Sequence, residues 1–97
     1  MSGTAKLRVV RAIVRPDRRG DYLERWRKYT EAARAAGAQV RLFEDQVLPG
    51  RFLEFTEHKA AKGMEGRLEA AFRETDVKGA CVRREGEEVL YRAVEVQ

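Results

Sequence analysis

KLRVVRAIVR, residues 6–15, sets the architecture of this chain. Ten residues rich in valine and isoleucine, stopped by Pro16, favour a strand over a helix. Its two faces read Leu7, Val9, Arg11, Ile13 and Arg8, Val10, Ala12, Val14. Both are mainly apolar, so the strand is expected at the centre of a sheet with a cover on each side.

Working outward, Asp17 is placed to cap a helix, because a carboxylate can accept the free amides of a first helical turn. The helix is predicted to run to about Ala36, with Tyr22, Trp26, Tyr29, Ala33 and Ala36 forming one buried stripe and Gly37 ending it. Residues 39–45, QVRLFED, read as a second strand; Pro49-Gly50 marks a hairpin turn into a third, residues 51–57, RFLEFTE. A second helix is expected over residues 59–73, where Met64, Leu68, Ala71 and Phe72 share a face and Gly63 and Gly66 weaken the first turns. Residues 76–88 show no period, and residues 89–96, VLYRAVEV, read as a last strand.

The order is β-α-β-β-α-β, the split βαβ or ferredoxin-like pattern: an α+β antiparallel sheet with both helices on one face. The other face is left bare. Valine, isoleucine and phenylalanine there would make too large an apolar patch for a monomer, so a homodimer that packs sheet against sheet is the simplest cover.

Composition narrows the function classes. Ninety-seven residues of 11.1 kDa are expected to form a single domain spanning 1–97. One cysteine, Cys81, rules out an internal disulfide framework, and one histidine with one cysteine makes a zinc or iron site a poor reading. No apolar run suits a membrane span or a signal peptide, so no membrane partner and a cytoplasmic location are expected. Net charge is +4, from 20 basic and 16 acidic residues, but the two signs alternate along the first helix. The third strand, Gly50-Arg51-Phe52-Leu53-Glu54-Phe55, lacks the aromatic pattern by which RNA-recognition domains of the same strand order stack bases. No nucleic-acid partner is expected.

The strand RVVRAIVRP, the helix DYLERWRKYTEAAR with its tryptophan and the hairpin VRLFEDQVLPGRFLEFTEH resemble the antibiotic biosynthesis monooxygenase-like family of dimeric α/β barrels, over roughly residues 7–72. The resemblance implies a dimeric α/β barrel in which two sheets pack face to face around small-molecule pockets. It further implies cofactor-independent oxygenation of aromatic or quinol-like substrates, with haem degradation as another activity of the group. Where such proteins often close the third strand with glutamate-tryptophan, this chain has Glu57-His58, and it contains no asparagine. The asparagine-dependent forms of that chemistry are therefore not expected.

Strand period supplies the candidate site. Leu53 and Phe55 form an all-apolar face suited to the helices, which turns Phe52, Glu54, Thr56 and His58 the other way, beside Val9, Arg11 and Ile13 of the first strand. Arg11, Glu54 and His58 are then the catalytic candidates, with Phe52, Thr56, Val9, Ile13 and Arg92 around the ligand. His58 would take a proton from a phenolic or acidic C–H substrate, Arg11 would hold the resulting anion while it reduces dioxygen without metal or flavin, and Glu54 would orient either. The bland alternatives are a cross-strand Arg11–Glu54 ion pair and a helix-capping His58. Cys81, among Lys78, Arg83 and Arg84, is a candidate thiolate, although with no second nucleophile an incidental thiol is the simpler reading. His58 as a haem ligand is a weaker reading, and a non-catalytic ligand-binding or assembly module is the main rival.

Overall fold

In the computed structural model, which describes residues 5–86, 91, 92, 94 and 96, β1 (Ala5–Ile13) leads through α1 (Arg19–Ala35) to β2 (Gln39–Glu44) and β3 (Arg51–Lys59). α2 (Met64–Thr75), β4 (Arg83–Gly86) and β5 (Tyr91–Arg92) follow. The sheet order is β2-β3-β1-β4, with β5 also paired to β1 and every neighbour antiparallel. This is the ferredoxin-like arrangement, and β1 is the central strand that its two apolar faces require.

α1 buries Tyr22, Trp26, Tyr29 and Ala33, the stripe expected from their spacing. These side chains pack on Ala12, Val14, Val40 and Phe52 of the sheet, with Met64 and Leu68 of α2 closing the core. Asp17 does not cap α1. Pro16 opens a 3-10 turn over Pro16–Arg18, which delays the α-helix until Arg19, and the Asp17 carboxylate instead accepts Arg15 Nε at 3.1 Å. The acid in the first turn of α1 is Asp21, held by Arg18 and Arg25.

The β2–β3 turn closes at Gly50, whose φ of +93° and close approach to β1 both need the missing side chain. A Cβ there would sit 2.5 Å from the Val14 carbonyl oxygen, and the Gly50 carbonyl accepts Val14 N–H at 2.8 Å. β3 runs two residues beyond the expected end, and Gly63 at φ +81° starts α2 late. His58 is therefore a strand residue, not a helix cap.

The fourth-strand position is filled differently from the expectation. β4 comes from the stretch without a readable period and pairs with Val10–Ile13 of β1, while β5 supplies Tyr91 opposite Leu7 and Arg92 opposite Lys6. RREG has no apolar alternation to announce a strand; its register sets Arg84 opposite Ala12, on the helix face of the sheet. The rest of the expected strand over residues 89–96 lies largely outside the described residues. No helix among the described residues is long and apolar enough to cross a membrane.

Candidate functional site

Cross-strand partners in an antiparallel sheet share a face, so the pairing register assigns every side chain. Val10 stands opposite Glu54, Ala12 opposite Phe52, Arg8 opposite Thr56 and Lys6 opposite His58. Phe52, Glu54, Thr56 and His58 thus lie under the helices, all buried, with Glu54 3% and His58 6% exposed. Arg11 pairs with Leu53 and Val9 with Phe55, on the opposite, bare face.

The expected union of Arg11 with Glu54 and His58 therefore does not form. Val9 and Ile13 are likewise on Arg11's side of the sheet, away from Glu54, Thr56 and His58. β1 presents the expected face to the helices, whereas β3 presents the other one. Apolarity alone favours Leu53 and Phe55 as the inward pair, but polar groups can be buried wherever partners receive them. Here every inward polar group of β3 has one. Arg92 has only its backbone described, paired to Lys6; its side chain lies outside the described residues.

The partner of Glu54 is Arg84, on β4 opposite Ala12 and so on the helix face. Arg84 Nη2 donates to Glu54 Oε1 at 2.5 Å, and the Tyr22 hydroxyl donates to Oε2 at 2.7 Å. The Arg84 guanidinium also lies 4.2 Å over the Phe72 ring, a cation–π contact. Removing one member of such a pair leaves a buried charge without its partner, at a cost of about 3–5 kcal/mol. Burial first, then the adjacent Glu54 carboxylate, push the Tyr22 phenol far above its ordinary range, so it stays a donor.

Tyr29 and Thr56 meet through their hydroxyls at 3.3 Å, and burial raises the Tyr29 phenol. His58 Nδ1 lies 2.8 Å from the Lys59 carbonyl oxygen. A carbonyl only accepts, so Nδ1 carries the hydrogen and Nε2 is the basic nitrogen of the neutral ring.

These groups border one cavity of about 510 Å³ between the sheet and the helices. Glu54, Thr56, His58 and Arg84 supply polar contacts from the sheet; Trp26, Tyr29, Leu68 and Phe72 supply apolar walls from the helices. Arg8 and Lys78 add positive charge, against Glu65 and Glu69. A hollow that sets aromatic walls beside converging polar groups is a form that small-molecule sites take. Arg84, Tyr29 and Trp26 were not among the site residues read from sequence. The helical spacing of Trp26 and Tyr29 suits a pocket wall for an aromatic ligand as well as the core, with core packing the default reading, and Arg84 sits where no period was legible.

The bare face carries its own hollow of about 410 Å³, bordered by Arg11, Ile13, Phe43 and Leu53. Cys81 does not behave as an activated thiol: burial, then the Glu54 carboxylate, outweigh Arg84 and Arg25 and raise it to about 11. Among the described residues no three of His, Cys, Asp and Glu gather as a metal-binding cluster.

No protein-family model matches this chain, and no curated protein matches it by sequence. Solved structures do match in shape. A Nitrosomonas europaea protein provisionally described as an antibiotic biosynthesis monooxygenase superposes with a TM-score of 0.78 at 20% identity, covering 97% of this chain and 94% of its own. A second structure described as an antibiotic biosynthesis monooxygenase gives 0.72 at 21% identity, over 94% of this chain and 99% of its own. A Bacteroides thetaiotaomicron protein of unknown function gives 0.74 at 14% identity, over 96% and 100%. The chain has the fold of the antibiotic biosynthesis monooxygenase-like proteins.

Proposed function

We propose that this protein binds a small aromatic or quinol-like molecule in the cavity between sheet and helices and oxygenates it without a cofactor. The observation that carries this reading is the convergence of His58, Thr56 and the Arg84–Glu54 pair on one aromatic-walled hollow. His58 Nε2 takes the proton of a phenol or of an acidic ring C–H. Arg84, in the role first given to Arg11, holds the anion that results; Glu54 and Phe72 fix its guanidinium. The anion then reduces dioxygen. One oxygen atom enters the ring carbon, the other leaves as water, and the substrate supplies all four electrons. Such a balance holds for the conversion of a hydroquinone to a hydroxyquinone or of an anthrone to an anthraquinone.

A homodimer completes the molecule. The bare face exposes Ile13 and Leu53 to 36% and Phe43 to 43%, beside a Phe43–Phe55 ring pair at 5.4 Å. A second copy applied to that face would cover these side chains and leave the catalytic cavity on the outer, helix side of each sheet.

Oxygen uptake measured with a panel of hydroquinones and anthrones tests the activity. His58→Gln keeps a polar group at the strand end and removes the base; its turnover should fall by roughly 100-fold or more. Arg84→Lys keeps a positive charge beside Glu54 and should weaken the same reaction. Rates unchanged in both variants would overturn the assigned roles. Tight ligand binding with no oxygen consumed would favour the rival reading, a non-catalytic binding module. That reading draws support from Glu54 being held from both sides, by Tyr22 and Arg84, as a structural carboxylate is.

A further inference from the structure

Among the described residues, six charged side chains border the cavity between sheet and helices, three of each sign: Arg8, Lys78 and Arg84 against Glu54, Glu65 and Glu69. Arg8, Lys78, Glu65 and Glu69 are exposed, so water and salt screen them. Arg84 and Glu54 are the interior pair, with side chains 18% and 3% exposed. The balance within that pair decides what charge the cavity accepts.

An arginine in a ligand cavity ordinarily suggests an acidic ligand, because guanidinium and carboxylate match in shape and charge. Here the chain supplies the carboxylate itself. Glu54 accepts from Arg84 at Oε1 and from Tyr22 at Oε2, so both oxygens are engaged as acceptors and the side chain is ionised. Tyr22 is fully buried and its phenol stays protonated, which keeps that arrangement in place. Arg84, by contrast, is not saturated. Glu54 occupies Nη2, while Arg84 Nε is a buried nitrogen with no hydrogen-bond partner among the described residues. The guanidinium thus faces the cavity with its charge matched and its donors only partly used. It can receive a neutral ligand oxygen. A ligand carboxylate there would lie beside Glu54, a like charge in a poorly solvated place.

We propose that the cavity selects neutral ligands and that Glu54 sets this selection: the aromatic substrate enters uncharged, as a phenol, quinol or ketone, and not as an aromatic acid. The proposal deepens the reading of this cavity as the ligand site and rests on it. It also fits the proton step, since a proton passing from substrate to His58 Nε2 leaves the total charge of the cavity unchanged. Arg84 then meets an anion only when a new cation has formed in the same hollow. Glu54 is a specificity-determining residue, acting through the arginine that it neutralises.

The test titrates 2-naphthamide and 2-naphthoate, nearly identical in shape and different in charge, into the intact protein by calorimetry at neutral pH. Native protein should bind the amide more tightly by about tenfold or more. Glu54→Gln keeps an acceptor for Arg84 and a polar partner for Tyr22 while removing the charge, and should turn the preference toward the naphthoate. Tyr22→Phe removes a hydrogen bond to the same carboxylate but leaves its charge, and should keep the amide preference. The double variant Glu54→Gln, Arg84→Gln removes both charges together and should leave the ratio near the native one; it decides the matter even where Glu54→Gln alone does not fold. The charge selection is overturned by native protein that binds the naphthoate as tightly as the amide, by a folded Glu54→Gln with the native preference, by loss of the preference in Tyr22→Phe, or by a double variant whose ratio moves sharply toward the amide. Each of these leaves the cavity standing as a ligand site. Failure of native protein to bind either compound overturns the ligand site itself.

Discussion

At Glu54 three side chains from distant parts of the chain settle a question that the local sequence leaves open. Tyr22 and Arg84 lie 32 and 30 residues away, and each satisfies one carboxylate oxygen. Nothing within residues 51–57 announces either partner. Cys81 shows the same dependence on surroundings. Its basic neighbours in sequence suggest a lowered thiol, yet burial and Glu54 raise it to about 11 from an ordinary 9.0. The folded state thus holds the proton more tightly than the unfolded chain does. The stability this contributes is fully present below pH 9 and is lost as pH rises toward 11. Alkylation by iodoacetamide should accordingly be slow at pH 8 in native protein and rise with a midpoint near 11; a midpoint at or below 9 would contradict the burial argument.

Among the elements, those with a clean period were legible, and β4, which has none, was not. α1 declared its buried stripe through Tyr22, Trp26, Tyr29 and Ala33, and β1 declared its centrality through two apolar faces. β4 has no such pattern; it pairs with β1 in the register that delivers Arg84 to Glu54. The β2–β3 turn was visible as Pro49-Gly50, and the structure adds why glycine is required there. Gly50→Ala would force a side chain into a positive φ and against the Val14 carbonyl. The expected loss is about 2 kcal/mol, with Tm lower by roughly 10 °C in thermal unfolding followed by circular dichroism. An unchanged Tm would show that the hairpin can relax around the new Cβ.

For the whole molecule, the bare sheet face is the feature that calls for a partner. It holds Arg11, first read as catalytic, and Ile13, first read as ligand-binding, together with Phe43, Leu53 and Phe55. In the proposed dimer these residues become interface. Sedimentation equilibrium of the native protein should give twice the 11.1 kDa chain mass. Leu53→Glu, on an already part-exposed side chain, should bring it to the single-chain mass without unfolding it. A native monomer, or a Leu53→Glu variant that stays dimeric, would mean that another surface or another partner covers the sheet.

The amino-acid sequence by itself determined the element order as far as α2, the stripe of α1 and the central place of β1. Each of these is a periodicity contained within ten to twenty residues, which backbone geometry converts directly into a face. Only the tertiary structure decided which face of β3 turns toward the helices. A strand of period two offers two opposite solutions, and the choice between them rests on whether Glu54, Thr56 and His58 find partners once buried. Tyr22, Tyr29, Arg84 and the Lys59 carbonyl are those partners, and three of the four reach β3 only through the fold. With that choice Arg84 replaced Arg11, and the candidate site moved from the bare face of the sheet to the cavity beneath the helices.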